Sequence, residues 1–358
     1  ARLGGDEFVV VLENVGDAAA AEAVAQQVLQ ALAQPFTVGD QSLHVTTSIG
    51  ISVFPEDGHS PEILLKHADV AMYHAKAAGR SNIQWFTPDM MRESADRLAL
   101  GSALRRAMEN EDLRLHYQPE VCLNSGRIVG MEALLRWHHP EHGYISPARF
   151  IPLAEETGLI IPLGEWVLRQ ACRQLKAWHD AGRRDLTMAV NVSARQFHHQ
   201  DIPRLVRRVL EETGVPPQSL ELELTESVLL YNADAVIEVL RQLKAIGVSL
   251  AMDDFGTGYS SLSYLRSFPF DKIKIDRSFV KDLAQRSDCL AIVRAISGLG
   301  KSLNIITTAE GVETSDQLDW LRAEGCNQVQ GFLFSAAKPA SEIPGLLAQF
   351  GARASKAA

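Results

Sequence analysis

The sequence contains little of what a disulfide-rich, zinc-binding or membrane-spanning protein needs. Its few cysteines form no CxxC pair and have no histidine nearby at the spacing of zinc ligands; they are Cys122, Cys172, Cys289 and Cys326. We therefore expect four reduced cysteines, as is usual in a cytoplasmic domain. No apolar run reaches the roughly 18 residues that a membrane-spanning helix needs, and no signal peptide is recognisable.

Positive charge is also in short supply. The chain carries 35 lysines and arginines against 44 aspartates and glutamates, which gives a net charge of −9. Because an acidic chain has no general attraction for a nucleic-acid polymer or an anionic membrane, we expect neither as a partner. A small anion can still bind in a local pocket where metal ions or arginines reverse the field.

The length allows more than one domain. At about 150 residues per domain, 358 residues correspond to roughly 2.4 domains, and 46% hydrophobic residues suffice for sizeable cores. The sequence begins at Ala1, just before Gly4-Gly5-Asp6-Glu7-Phe8, rather than at a methionine. This start is typical of a cut through a domain. We therefore expect the rest of that domain to lie upstream of this chain, where a sensor or a membrane anchor would not be visible in this sequence.

The first region, residues 1–86, predicts a partial α+β domain of short strands with two helices. The strands expected from apolar runs and turn residues are Phe8–Leu12, a hairpin of Phe36–Val38 with Leu43–Val53, and Asn82–Phe86. A charged helix over residues 87–111 is expected to link this region to the next.

Residues 112–350 follow a regular α/β pattern. Eight apolar runs mostly alternate with helical stretches, and this number and order predict a (β/α)₈ TIM-like barrel. Because the turn around Asn124-Ser125-Gly126 is too short for a parallel crossover, we expect the barrel to start with an antiparallel strand pair. The predicted strands are Leu113–Tyr117, Ile128–Leu135, Leu186–Val192, Leu220–Leu224, Val248–Met252, Lys272–Ile275, Leu303–Thr307 and Cys326–Phe332.

Polar side chains stand in or directly after most of these runs. In a (β/α)₈ barrel the carboxyl ends of the strands meet at one mouth, where active sites are built. A single aspartate after a strand is more often a helix N-cap, but this many buried carboxylates together need compensation. Oxygen ligands without thiolates favour one or two Mg²⁺ or Mn²⁺ ions. The residues are Glu132, Asn191, Glu223, Asp253, Asp254, Lys274, Asp276, Glu310 and Gln330.

Such a site predicts phosphodiester chemistry. Two divalent ions can hold a phosphodiester, activate water and stabilise the leaving oxygen, and a shared carboxylate such as Asp253 would fix their spacing. Lys274 could orient the water or offset transition-state charge. Glu310 could be a general base or a ligand to the second ion, and the residues alone do not separate these roles. Arg136 lies on the same strand face as Glu132 and could bind a phosphate.

Seven ordered motifs resemble the EAL-domain family over about residues 113–350. They are Glu132-Ala133-Leu134, Asn191-Val192-Ser193, Glu223-Leu224-Thr225-Glu226, Asp253-Asp254-Phe255-Gly256-Thr257-Gly258, Lys274-Ile275-Asp276, Glu310-Gly311-Val312-Glu313 and Gln330-Gly331-Phe332. The resemblance implies hydrolysis of cyclic di-GMP to linear pGpG, dependent on Mg²⁺ or Mn²⁺. It also makes a homodimer through this domain an expectation.

The resemblance implies a role for each site residue. The first metal ion would be held by Glu132, Asn191, Glu223 and Asp253, and the second by Asp253, Asp254 and Glu310. The catalytic set would be Glu132, Lys274 and Glu310. Contacts to the substrate would come from Gln118, Leu134, Arg136, Asp276 and Gln330. Glu226 and Glu313 would order the Asp253–Tyr264 loop.

The N-terminal region resembles the second half of a GGDEF domain, the diguanylate cyclase fold. Gly4-Gly5-Asp6-Glu7-Phe8 carries the resemblance, and Ser48–Val53 and Gly79-Arg80-Ser81-Asn82 follow in the family's order. Because the first half of such a domain is missing, we expect no cyclase activity from this chain. Two alternatives to the phosphodiesterase remain open here: a receptor that binds cyclic di-GMP without hydrolysis, and a bifunctional cyclase and phosphodiesterase in the intact protein.

Overall fold

The computed structural model describes all residues except 16, 40, 44, 80, 111, 231–232, 257–266, 284 and 358. The chain divides into two compact units, Ala1–Leu100 and Gly101–Ala358. Among the described residues, no helix is long and apolar enough to cross a membrane.

The first unit consists of three two-stranded sheets and helices. β1 pairs antiparallel with β2, β3 with β4, and β5 pairs parallel with β6. The strands are β1 (Arg2–Gly4), β2 (Glu7–Phe8), β3 (Phe36–Val38), β4 (Gln41–Leu43), β5 (Ile49–Ile51) and β6 (Ile83–Trp85). The helices are α1 (Ala18–Leu32), α2 (Pro61–Ala77) and α3 (Pro88–Glu109), the last of which continues into the second unit.

Two strand predictions in this unit are wrong in their extent. The predicted strand Phe8–Leu12 shortens to β2, because the pairing with β1 ends where Phe8 lies opposite Arg2. Val10 and Val11 beyond it are 67% and 77% exposed. The predicted strand Leu43–Val53 is divided, because β4 pairs within the hairpin whereas β5 pairs with β6.

The second unit is a closed eight-stranded barrel, as the sequence predicted. Its strands are β7 (Leu113–Cys122), β8 (Ile128–His139), β10 (Thr187–Val192), β11 (Leu220–Thr225), β12 (Ser249–Phe255), β13 (Lys272–Ile275), β14 (Ile306–Ala309) and β15 (Gln328–Val329), with β9 (Gly143–Ile145) and β16 (Lys338–Pro339) as additions at β8 and β7. β7 is antiparallel to both of its barrel neighbours, and the other barrel pairs are parallel. The predicted antiparallel first pair is therefore confirmed.

Helices surround the barrel and follow most of its parallel strands. They are α4 (Pro147–Thr157), α5 (Ile160–Asp180), α6 (Ala194–His199), α7 (Ile202–Thr213), α8 (Ala233–Ile246), α9 (Arg277–Lys281), α10 (Ser287–Leu303), α11 (Ser315–Ala323) and α12 (Ile343–Ala357), with 3₁₀ turns at Pro217–Ser219, Glu226–Leu230 and Ala340–Glu342. Their buried apolar residues form one continuous core with the outward faces of the strands.

Helix α7 illustrates how the sequence specifies these layers. Asp201 caps its first turn by accepting a hydrogen bond from the backbone N–H of Arg204 at 3.0 Å, and Gly214 ends it in the left-handed region at φ +69°. The buried apolar positions recur every three or four residues, so one stripe packs against the barrel; they are Ile202, Leu205, Val206, Val209 and Leu210.

The seventh barrel strand starts three residues later than predicted. Helix α10 continues through Leu303 and ends at Asn304, which has φ of +56°. β14 therefore covers Ile306–Ala309 instead of Leu303–Thr307. The shift brings the strand's carboxyl end next to Glu310.

Candidate active site

The charged residues predicted at the strand ends lie together inside one end of the barrel. Glu132, Glu223, Asp253 and Lys274 come from β8, β11, β12 and β13, and each is less than 9% exposed. Glu223, Asp253 and Lys274 lie in the carboxyl-terminal halves of their strands, which is the end where barrel active sites form, whereas Glu132 is the fifth residue of the long strand β8. Charges this deeply buried are tolerated only when they are paired or ligated.

Lys274 lies at the centre of this group. Its Nζ is 2.7 Å from Oε1 of Glu223 and 2.6 Å from Oε1 of Glu310, and it is 3.5 Å from Oδ1 of Asp253 and 3.6 Å from Oε2 of Glu132. Burial alone would lower the pKa of this ammonium, but the four carboxylates outweigh that effect and raise the pKa well above its usual value. Lys274 is therefore a permanent buried cation.

Glu132 is held by side-chain amides. Nδ2 of Asn191 donates to its Oε1 at 2.7 Å, and Nε2 of Gln330 donates to its Oε2 at 2.5 Å. Gln330 Nε2 also donates to Oε1 of Gln118 at 3.1 Å, and Gln118 in turn donates to the carbonyl of Ser335 at 3.1 Å. Burial opposes ionisation of Glu132, but Lys274 and these amides lower its pKa below the usual value. This carboxyl is therefore ionised and fixed in orientation.

A bulge brings two adjacent carboxylates to the same side of β12. Between Met252 and Phe255 this strand advances three residues where β13 advances two. Asp254 takes the left-handed conformation, with φ of +53°. In a regular strand Asp253 and Asp254 would point to opposite faces. Here one oxygen from each lies within 4.8 Å of the other and of an oxygen of Glu310.

Crowded negative charge makes the remaining carboxyls hard to ionise. Burial, followed by repulsion from Asp253, raises the pKa of Asp254 to about 6. Burial raises the pKa of Glu310 to about 8 against the attraction of Lys274. Burial and repulsion from Glu132 raise the pKa of Glu223 well above the usual value. In the absence of a further cation, the group holds more carboxylates than its single ammonium can balance.

These residues fit a divalent cation. Both carboxylate oxygens of Glu223 and Oδ1 of Asp253 are buried and accept no hydrogen bond from the described part of the chain, although each carboxylate approaches Lys274. Buried oxygens with free lone pairs are costly unless a ligand uses them. The hard oxygen donor set that Mg²⁺ and Mn²⁺ prefer is supplied here by the amide of Asn191 and five carboxylates, those of Glu132, Glu223, Asp253, Asp254 and Glu310.

Two family models match successive parts of this chain. A family model described as "EAL domain" matches residues 102–337. The chain belongs to the EAL family. A second model, described as "Diguanylate cyclase, GGDEF domain", matches residues 1–82.

Curated relatives and solved structures of this family are similar to the chain. The bifunctional diguanylate cyclase/cyclic di-GMP phosphodiesterase MucR of Pseudomonas aeruginosa is 46% identical over 96% of this chain and 50% of its own length. Cyclic di-GMP phosphodiesterase PdeR of Escherichia coli is 42% identical over 95% of this chain and 51% of its own. The chain therefore spans about half the length of these relatives.

The solved structures resemble the EAL domain itself. The PaMucR phosphodiesterase in complex with c-di-GMP is 50% identical, with a TM-score of 0.66 over 68% of this chain and 98% of that one. The EAL domain of Mycobacterium smegmatis DcpA is 39% identical, with a TM-score of 0.58 over 66% of this chain and 98% of that one.

The residues expected to contact the substrate lie around the same mouth but differ in their surroundings. Leu134 and Arg136 follow Glu132 on β8 at alternate positions, and both are half-buried. Arg136 donates to the carbonyl of Leu135 at 2.9 Å, and burial lowers its pKa below the usual value. Asp276 caps α9, because its Oδ1 accepts from the backbone N–H and the hydroxyl of Ser278 at 3.0 and 2.5 Å.

The two glutamates expected to order the EAL domain's loop differ in what they contact. Oε1 of Glu226 accepts a hydrogen bond from the backbone N–H of Gly256 at 2.8 Å, directly after β12. Glu313 is exposed, and its own backbone N–H donates to Oε1 of Gln317 at 2.7 Å. Residues 257–264 of the predicted Asp253–Tyr264 loop lie outside the described residues.

The sequence analysis missed a second charged cluster in the barrel interior. Lys272 is 3% exposed, and its Nζ lies 2.8 Å from Oε2 of Glu120 and 2.7 Å from Oε1 of Glu221. A signal was present, since Glu221 and Lys272 each precede a predicted site residue by two positions. Residues two apart on a strand face the same side, so Glu221 and Lys272 must point into the barrel together with Glu223 and Lys274.

Proposed function

We propose that the EAL domain of this chain hydrolyses cyclic di-GMP to linear pGpG with the help of divalent cations. The observation that carries the proposal is the buried group around Lys274, in which one ammonium faces four carboxylates. The names of MucR, NbdA and PdeR, which describe cyclic di-GMP phosphodiesterases, support the same substrate and reaction. So does the solved PaMucR complex, whose ligand is c-di-GMP.

We assign the metal ligands from the donor set. One Mg²⁺ or Mn²⁺ ion would be held by Glu132, Asn191, Glu223 and Asp253. A second would be held by Asp254 and Glu310, with Asp253 shared between the two. When bound, the ions supply Lewis-acid activation of the phosphodiester and of the attacking water. The bulge at Asp253 and Asp254 supports this assignment, since it brings both carboxylates to one side.

Lys274 and Glu310 would handle the attacking water. The ammonium of Lys274 forms an ion pair with Oε1 of Glu310 at 2.6 Å and so orients that carboxylate. A carboxyl with a pKa of about 8 is a stronger base than an ordinary carboxylate once it is ionised, which supports Glu310 as the base. Its place within 4.8 Å of Asp253 and Asp254 oxygens supports it as a ligand instead. Lys274 would also offset the negative charge that develops on the phosphoryl group.

The remaining predicted residues would hold the dinucleotide. Arg136 has a planar guanidinium suited to a phosphate, and burial around it strengthens such a contact. Gln118 and Gln330 would order Glu132 and contact the substrate at the same edge. Leu134 offers an apolar surface. Asp276 would contact the substrate while it also caps the first turn of α9.

The test is hydrolysis by the purified chain. Cyclic di-GMP is incubated with the chain and Mg²⁺ or Mn²⁺, and the products are separated by chromatography. We expect pGpG, its loss on chelation and its recovery when the ion is restored. Glu132→Ala is the inactive control, and Glu238→Gln, an exposed change on α8, is the control for a lost surface charge. Tight binding of cyclic di-GMP without cleavage would contradict the proposal and identify a receptor.

Oligomeric state is a separate part of the proposal. We propose that the EAL domain forms a homodimer, as the family resemblance implies. Light scattering coupled to size-exclusion chromatography measures the mass directly. A monomer mass near 39.3 kDa at every concentration would contradict the dimer without affecting the proposed reaction.

A further inference from the structure

The cluster around Lys272, which we call the lower layer, consists of Glu120, Glu221 and Lys272. All three are at least 90% buried, at 1%, 7% and 3% exposure. The ammonium lies 2.8 Å from Glu120 and 2.7 Å from Glu221, so it takes the place that a cation would occupy between two carboxylates.

The lower layer lies directly beneath the proposed metal ligands. Glu221 and Lys272 are two residues earlier on their strands than Glu223 and Lys274, a step of about 6.6 Å toward the amino ends. Glu120 is two residues later than Gln118 on β7. Because β7 runs antiparallel to β8, this step also leads toward the amino ends of the parallel strands. One oxygen each of Glu120, Glu221 and Glu223 lies within 4.8 Å of the others.

The barrel leaves room for this layer at Gly130. A Cβ at that position would lie 2.9 Å from Oε2 of Glu120 and 2.6 Å from Oγ1 of Thr187. Any side chain on β8 here would displace the carboxylate that contacts Lys272. The interior is therefore shaped to accept the Glu120 carboxylate.

The lower layer and the group of carboxylates around Lys274 share an electrostatic environment. Lys272 offsets one of two carboxylates, so the lower layer carries one net negative charge when both are ionised. Glu223 connects the lower layer to the group around Lys274, because its carboxylate contacts Lys274 at 2.7 Å and lies beside Glu120 and Glu221. In an interior of low dielectric, one charge at this depth changes the binding of a divalent ion above it.

We propose that Glu120, Lys272 and Glu221 form a charge-balancing layer that sets the affinity of the neighbouring site for divalent cations. This inference rests on the proposed function, because it assumes that the residues above bind metal ions. It adds three residues that lie outside the predicted metal and substrate contacts, and it assigns them an effect of definite sign.

The test varies the charge of the lower layer in single steps and measures Mn²⁺ binding by calorimetry without substrate. Glu120→Gln removes one negative charge and keeps the shape, so we expect Mn²⁺ to bind about tenfold more weakly. Lys272→Met adds one net negative charge, so we expect binding about tenfold tighter. The double variant restores the parental charge and should restore affinity to within about threefold.

Controls separate this effect from a loss of folding. Glu238→Gln removes an exposed negative charge and should leave Mn²⁺ affinity unchanged. Thermal melting of each metal-free variant establishes that it is folded. If Lys272→Met does not fold, Mn²⁺ binding by the parent, Glu120→Gln and the double variant still tests the inference. Parental affinity in folded Glu120→Gln would overturn the inference alone. A parent that binds no Mn²⁺ would overturn the proposed metal dependence and this inference together.

Discussion

The Nζ of Lys274 and Oε1 of Glu223 are 2.7 Å apart in the interior of the barrel, and the two residues are 0% and 1% exposed. Neither charge could be buried alone, since an isolated buried charge costs several kcal/mol. The pair is also unbalanced, because three further carboxylates surround the same ammonium. The proposed reaction would therefore need additional positive charge at this site.

Replacing Lys274 by methionine should abolish hydrolysis. The variant keeps the volume but removes the positive charge that faces Glu223 and Glu310, so we expect product formation to fall by about 10³-fold. The metal-free variant should also melt at a lower temperature, because it leaves buried carboxylates unpaired. Rates with cyclic di-GMP and thermal melting with and without Mn²⁺ measure the two effects. A variant with parental turnover would exclude Lys274 from the reaction.

Replacing Glu132 by glutamine should weaken metal binding more than it weakens the fold. The amide has the same shape, but it removes a carboxylate that accepts from both Asn191 and Gln330. We expect Mn²⁺ to bind at least about tenfold more weakly and hydrolysis to fall by at least about 10²-fold. Calorimetry and the hydrolysis assay are compared with Glu238→Gln. Unchanged Mn²⁺ affinity would argue that Glu132 is no ligand.

The barrel and the composition of its mouth could be predicted from the sequence because both depend on strand periodicity. Apolar runs give the strands, and a short turn after β7 requires an antiparallel pair. The polar residues at the ends of those runs must then converge. Residues such as Glu132, Glu223 and Lys274 are brought together by topology alone, so no knowledge of side-chain geometry was needed to group them.

Other features depend on contacts that a linear pattern does not contain. The bulge that brings Asp253 and Asp254 to the same side needs an extra residue in β12, and its register is set by β13. The pairing of Lys272 with Glu120 joins residues 152 positions apart on strands that are not neighbours in the sheet. Asp276 illustrates the opposite case, since the helix-capping role typical of an aspartate after a strand is the one it has here.

Replacing Gly331 by alanine should destabilise the mouth of the barrel. A Cβ at this position would lie 2.2 Å from the carbonyl oxygen and 2.3 Å from the nitrogen of Val312, so the backbone itself must move. We expect a loss of about 2–4 kcal/mol in the free energy of unfolding, because overpacking against a backbone cannot relax by rotamer change. The neighbouring Gln330 should move together with this backbone, which would also lower the rate of hydrolysis.

Gly298→Ala is the matched control for this substitution. Gly298 is exposed in helix α10, and a Cβ there would meet nothing within 4 Å. Alanine is the better helix former, so we expect this variant to be about as stable as the parent or up to about 1 kcal/mol more stable. Urea denaturation measures both variants. Equal stability of the two would contradict the steric argument for Gly331.

Replacing Glu226 by alanine should slow hydrolysis without removing the metal site. The substitution deletes the acceptor for the backbone N–H of Gly256, which directly follows the strand carrying Asp253 and Asp254. We expect kcat to fall by about 10-fold or more while Mn²⁺ affinity stays within about threefold of the parent. Glu226→Gln keeps an acceptor oxygen and should retain more activity than the alanine variant. An alanine variant that loses Mn²⁺ binding in proportion to activity would instead make Glu226 part of the metal site.

Divalent-cation binding should strengthen as the pH rises from about 5.5 to 8.5. The pKa of Asp254 is raised to about 6 and that of Glu310 to about 8, in each case first by burial, so both must lose protons before they can ligate. Because the folded metal-free chain holds these protons more tightly than the unfolded chain, the contribution of these two groups to its stability is full at pH values below about 4 and is lost as the pH rises through 6 and 8.

Two measurements check this dependence. Calorimetry of Mn²⁺ binding in buffers of different ionisation enthalpy counts the protons released, and we expect release to be larger at pH 6.5 than at pH 8.5. In Glu310→Gln the residue no longer titrates, so the rise in affinity above pH 7 should flatten while the part due to Asp254 persists near pH 6. Parental pH dependence in that variant would show that the proton leaves another group, and it would favour Glu310 as a base that remains outside the metal ligands.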